Sequence, residues 1–201
     1  VGSANYEDGQ AASASVHAYE LATAKVAEVA LGADASVGPL ALADVDGDGT
    51  LDLFVGGRVK AGNFPSAVSS RIYRGQGGGL VLDEANSKRL EGVGMVSGAV
   101  WSDLDGDGFP ELILACEWGP IRIFKNQAGQ VKQITTEMSL HKYTGWWQGV
   151  TTGDLDGDGR LDIIASNWGA NSKYQSHRAG PLRLYFSDFN NEGVLGLLEA
   201  C

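Results

Sequence analysis

Apolar residues along this chain come in short runs, and glycine, asparagine and aspartate break the runs apart. Leu40-Ala41-Leu42-Ala43, Leu53-Phe54-Val55, Ile121-Arg122-Ile123-Phe124 and Ile163-Ile164-Ala165 are typical. Alternation with period two marks a strand buried on one face, and a short unbroken run suits a strand buried on both. The breakers are the residues that turns require. The pattern predicts an all-β protein. At 201 residues the chain is long enough to bury a core as a single domain.

The runs repeat. Aligned on an acidic stretch that occurs three times, they predict four strands per unit. Unit B, residues 37–92, has strands at 39–43, 51–55, 70–74 and 80–82. Unit C, residues 93–145, has them at 98–101, 112–115, 120–124 and 131–134. Unit D, residues 146–201, has them at 149–152, 161–165, 181–185 and 194–198, with a polar insertion at 171–179. Unit A, residues 1–36, is truncated: Val1-Gly2-Ser3 ends a second strand, and 14–21 and 25–31 follow as third and fourth. Alanine-rich 11–31 would also suit a helix, but the phase of the repeat favours strands. Four-stranded antiparallel units of ~40–60 residues are the pattern of β-propeller blades, about three and a half to four of them here.

The acidic stretch is DVDGDGTLD at 44–52, DLDGDGFPE at 103–111 and DLDGDGRLD at 154–162. Oxygen ligands at alternate positions, with glycines between, are what a short loop needs to wrap a hard cation. In the first copy Asp44, Asp46 and Asp48 offer carboxylates, Thr50 a backbone carbonyl, and Asp52 closes the loop. The second copy offers Asp103, Asp105, Asp107, the Phe109 carbonyl and Glu111. The third offers Asp154, Asp156, Asp158, the Arg160 carbonyl and Asp162. Calcium suits such a set better than magnesium, which prefers water-rich octahedral sites. The odd-position pattern resembles half of an EF-hand loop, but the closing acid comes at position nine rather than twelve, and strands rather than helices flank it. Each loop is therefore expected to be the turn of a hairpin, with its glycines at positive φ. Residues 188–196 read either as a fourth, decayed loop or as the hairpin between the last two strands of unit D.

These loops, each after a short apolar strand (Leu42-Ala43-Asp44, Trp101-Ser102-Asp103, Thr152-Gly153-Asp154) and before Leu/Ile-rich strands, resemble the FG-GAP/VCBS repeat family. Bacterial proteins of that family share repeats with integrin α-subunit propellers and cartilage acidic protein. The resemblance covers nearly the whole chain. It implies one Ca²⁺ in each of three loops, between the first two strands of a blade. Family propellers commonly have seven blades, so a longer protein, or closure by exchange with a second copy, is expected. Unsealed edge strands point to a homo-oligomer.

Charge adds little about partners. The formal net charge is −10, but the loops hold twelve of the 25 acids, and the other thirteen face fifteen Lys and Arg. No basic stripe suggests nucleic acid, and no apolar run is long enough to span a membrane. The first residues read as folded sequence rather than as a signal segment. His17, His141 and His177 stand in no zinc spacing, no nucleophile-elbow or metalloprotease motif occurs, and no catalytic residue is selected. Cys116 reads as a small buried apolar residue and Cys201 as a terminal thiol; a disulfide between them has no support. Trp118 and Trp168 occupy equivalent places after a second strand, and Trp146 and Trp147 precede a first strand. With Tyr174 of the insertion they are candidate ligand contacts for a protein or carbohydrate, against a plainer role in packing between units.

The sequence thus predicts a calcium-binding β-propeller module for binding or adhesion, secreted, periplasmic or on the cell surface, where calcium is plentiful. A hydrolase with its site at the propeller centre and a structural subunit of a filament are the alternatives.

Overall fold

The structure is a computed structural model and describes residues 1–4, 15–32, 34–169, 182–193 and 195–200. The described residues form an all-β protein in which every strand pairing is antiparallel. Strands β1 (Ser15–Glu20) and β2 (Lys25–Leu31) make a hairpin, so the helical option for that stretch falls away. Gly2 bridges Val16 beside it, as the end of a second strand should. Strands β3 (Val37–Ala43), β4 (Asp52–Gly57), β5 (Arg71–Gln76) and β6 (Gly79–Leu82) form one four-stranded meander. Strands β7 (Met95–Ser102), β8 (Glu111–Pro120), β9 (Arg122–Gln127) and β10 (Gln130–Gln133) form the next. The far end of β8 also pairs with the start of β11 (Thr144–Gly153), which runs back along β12 (Asp162–Asn167).

Two features depart from the expected pattern. Strands β13 (Arg183–Ser187) and β14 (Gly196–Ala200) form their own hairpin, with no hydrogen-bonded link to β12, so unit D is not one four-stranded sheet among the described residues. No sheet closes on itself among the described residues. The second is a helix, α1 (Glu84–Arg89), unmarked in the apolar pattern. Asp83 caps it by accepting from the Asn86 N–H, and Lys88 and Arg89 lie in its last turn, where the helix dipole favours cations.

Period-two alternation stacks the sheets face to face. On β4, Phe54 turns towards the β7–β10 sheet while Leu53 and Val55 turn towards the β1–β2 hairpin. On β8, Leu112, Leu114 and Cys116 meet Phe54 and Ile72, while Ile113 and Ala115 meet Val150, Ile163 and Ala165 of β11 and β12. Each central strand is buried on both faces, which is why it reads as a continuous apolar run. Phe54, Ile72, Leu112, Leu114, Ile123 and Phe124 are all fully buried.

First strands approach one another closely. A Cβ on Gly98 of β7 would lie 2.8 Å from the Gly149 Cα of β11, and one on Gly38 of β3 would lie 2.9 Å from the Val96 carbonyl of β7. Each of β3, β7 and β11 carries an irregularity in register at the matching place, before Leu40, Gly98 and Gly149. Bulges at such positions bend a strand and let a neighbour draw near.

A buried polar network joins the two complete sheets. The Asn126 amide donates to the Val45 carbonyl at 2.8 Å and accepts from the Gly129 N–H at 2.9 Å. The Asn86 amide donates to the Gly129 carbonyl at 2.7 Å and accepts from the Val131 N–H at 3.1 Å. Gly129 sits at φ +89°, and a Cβ there would lie 2.7 Å from the Asp46 Cβ, so the β9–β10 turn meets the first acidic loop only as glycine.

Candidate functional site

Each acidic loop closes a hairpin between the first two strands of its unit, as Ala43 pairs with Asp52, Ser102 with Glu111 and Gly153 with Asp162. One hydrogen-bond scaffold recurs in all three. The first aspartate accepts backbone N–H groups on both oxygens: Asp44 from Gly47, Asp48 and Gly49, Asp103 from Gly106, Asp107 and Gly108, and Asp154 from Gly157, Asp158 and Gly159. The fifth-position aspartate accepts from the N–H of Thr50, Phe109 or Arg160 at 2.7–2.9 Å. The closing acid accepts from the N–H of Val45, Leu104 or Leu155 at 2.9–3.0 Å. The glycines of each loop hold φ between +75° and +88°, which curls the backbone as the sequence required.

This scaffold draws like charges together. Asp44, Asp46 and Asp48 bring carboxylate oxygens within 4.8 Å of one another, as do Asp103, Asp105 and Glu111, and Asp154, Asp156 and Asp162. A carboxylate has more lone pairs than these N–H groups use, so oxygens remain for a cation. The donor set is all-oxygen and mostly anionic, which fits calcium. Asp52 is not drawn into the first cluster. Buried, it accepts from the Gly75 N–H on one oxygen and from Val45 and Arg74 on the other.

Two basic residues that sequence reasoning missed lie against the loops. The Arg74 guanidinium of β5 lies 2.9 Å from Asp52, 3.3 Å from Asp46 and 2.9 Å from Asp83, and donates to the Gly129 carbonyl. The Lys125 ammonium of β9 lies 2.5 Å from Asp105, 2.6 Å from Asp107 and 3.2 Å from the buried Glu111. Burial pulls the Lys125 ammonium down, but hydrogen bonds to Asp105, Asp107 and Glu111 outweigh it and hold it above the usual lysine range. The Lys125 hydrogen bond in turn holds Asp107 below the usual carboxylate range. The signal was in the alignment: Arg-Ile-Tyr-Arg at 71–74 and Arg-Ile-Phe-Lys at 122–125 share a basic fourth residue.

Residues 103–165, about a third of the chain, match the family described as FG-GAP-like repeat. This stretch is similar to an FG-GAP-like repeat. It runs from the second loop into β12, the second strand of the third loop's hairpin, and contains both loops entire. No curated protein matches the chain.

Three tryptophans gather at the end of the strands away from the loops. Trp118 and Trp146 have ring centroids 5.4 Å apart, and Trp168 meets Trp146 edge-on at 4.1 Å. The pairing of Trp146 with Glu117 across β11 and β8 brings them together. Seven residues of strand separate Glu111 from Trp118, or roughly 20 Å, so a cation in the loops is far from this rim. A cleft of about 620 Å³ opens beside the rings, lined by Trp118, Trp146, Asn167, Arg183 and Tyr185. The Glu117 carboxylate stands next to them, 2.5 Å from Arg58 and 3.0 Å from Gln148. Burial pulls Glu117 up, yet Arg58 and Gln148 outweigh it and hold the group below the usual glutamate range. Trp147 is elsewhere: it packs with Ile113 and Ile163 and donates to the Tyr143 carbonyl. A larger cleft, about 870 Å³, lies instead between the β1–β2 hairpin and β3–β6.

Tyr174, His177, the 171–179 insertion and Cys201 lie outside the described residues. His17 is half-buried and His141 exposed. Cys116 is buried, and burial pushes its thiol up to about 11. At 188–196 the structure has the β13–β14 hairpin, where Asp188 accepts from the Glu192 and Gly193 N–H groups.

Proposed function

We propose that the chain is a calcium-stabilised β-propeller module of the FG-GAP type, working outside the cytoplasm in binding or adhesion. The observation that carries this reading is the threefold recurrence of one hairpin scaffold that converges carboxylates within 4.8 Å. Converged carboxylates repel unless a cation sits among them. A metal bound to the folded state alone stabilises it by mass action. Calcium here is structural, since the tryptophan rim is a strand's length away. The rim, with its aromatic faces, the Glu117–Arg58 pair and an adjoining cleft, is our candidate ligand surface for a carbohydrate or protein. No helix among the described residues is long and apolar enough to cross a membrane.

The face-to-face stacking of β1–β2, β3–β6 and β7–β10, with first strands drawn together, is the arrangement of radial blades. Phe186 and Leu197, cross-strand partners on one face of the last hairpin, remain substantially exposed, as do Tyr185 and Leu198 on the other. We take the Phe186–Leu197 face to be covered by a further sheet of the same kind, from a second copy or from more repeats. The reading is tested by thermal unfolding in millimolar calcium and in excess EDTA. Calcium is expected to raise the midpoint by several degrees, and equal midpoints would defeat the proposal.

A further inference from the structure

The three loops are nearly identical in sequence, yet the charge facing them differs. We propose that Arg74 and Lys125 are tethered cations that serve the first and second loops, so that the third loop binds a divalent cation most tightly. The inference rests on the calcium reading above and deepens it.

Strand register makes the arrangement structural. Leu53 pairs with Tyr73 and Leu112 with Phe124, so Arg74 and Lys125 each stand opposite the closing acid of their loop. Lys125 touches three of the four acids of the second loop, and Arg74 touches two of the first. Asp52 and Glu111, the closing acids served in this way, are almost fully buried, and a buried carboxylate requires a partner. In the third unit the aligned residue is the uncharged Phe186, on a strand not hydrogen-bonded to β12. Asp162 is neither buried nor faced by a cation among the described residues. Among the described residues Arg160 grips Asp158 alone, with its side chain 83 % exposed. An incoming divalent ion must displace a tethered ammonium from the second loop, whereas among the described residues the third loop meets only the exposed Arg160, on one acid. Ligand charge is what tunes calcium affinity in oxygen loops.

The test is calorimetric titration of the full-length chain with calcium chloride. Asp44→Asn with Asp154→Asn leaves the second loop intact; Asp44→Asn with Asp103→Asn leaves the third. The third loop alone is expected to bind at least about tenfold more tightly than the second alone. Adding Lys125→Met to the second-loop chain is expected to recover about that factor, and Lys125→Arg to recover none of it. Thermal melts in EDTA check that each variant is folded, and Lys125→Met is expected to lower the metal-free midpoint while calcium restores it. Equal affinities, with no response to Lys125→Met, overturn this inference and leave the calcium reading standing. No binding by the unmodified chain removes both.

Discussion

Asn126→Ala tests the joint between the two complete sheets. Asn126 has no exposed surface, and its amide serves two main-chain groups: the carbonyl of Val45, inside the first acidic loop, and the N–H of Gly129. Alanine removes both partners and leaves a buried carbonyl and a buried N–H unmatched. Each orphaned group costs about 1–3 kcal/mol, so the pair costs about 3 kcal/mol or more. For a chain of this size that lowers the melting temperature by about 6–12 °C. The assay is thermal unfolding followed by circular dichroism in calcium-containing buffer. Gln130→Ala, an exposed change in the same turn, is the control and is expected to shift the midpoint by less than about 2 °C. An Asn126→Ala midpoint matching that of Gln130→Ala would refute the claim that this side chain fastens one sheet to the next.

Three further outcomes are expected. Glu117 is held below its usual range in the fold, so its contribution is present at neutral pH and is lost as pH falls through that lowered value. Urea midpoints of Glu117→Gln are therefore expected to fall short of the unmodified chain at pH 7 and to converge with it below about pH 4; a gap that stays constant from pH 7 to pH 3 contradicts this. In a Cys201→Ser background, the buried Cys116 thiol is expected to react with a disulfide reagent only when the protein is unfolded, and prompt labelling of the native state counts against the packing described. Light scattering during size exclusion is expected to give more than one copy per particle, and Phe186→Lys with Leu197→Glu, a cross-strand pair on one face, is expected to reduce that number; a monomer at all concentrations rejects a second copy as the cover for the exposed hairpin.

The strands and the loops were legible because both are local. Short apolar runs, alternating or continuous, marked β3, β4, β7, β8, β11 and β12, and the acid–glycine spacing marked hairpin tips whose hydrogen bonds span only two to seven residues. Helix α1 was hidden because six residues are too few for apolar periodicity, and only the Asp83 cap announced it. The network of Asn86, Asn126 and Gly129 was illegible for another reason. Its partners are 43, 45 and 81 residues apart, and nothing in a single sequence pairs an asparagine with a distant carbonyl. Arg74 and Lys125 fall between these cases. Their shared register was visible in the repeat, but their meaning needed the neighbouring strand, which brings each opposite a closing acid. Among the described residues the expected four strands of unit D are not joined as one sheet, although β13 carries a sequence much like β9. Likewise, the equivalence of Trp118 and Trp168 was evident, but that Trp146 joins them while Trp147 turns into the core follows from the pairing of β11 with β8.

Counting bound ions tests the central claim most directly. Native mass spectrometry across a calcium titration is expected to show up to three calcium ions per chain, and none above background in the Asp44→Asn, Asp103→Asn, Asp154→Asn chain. A folded, unmodified chain that takes up no more calcium than this triple variant would contradict the account.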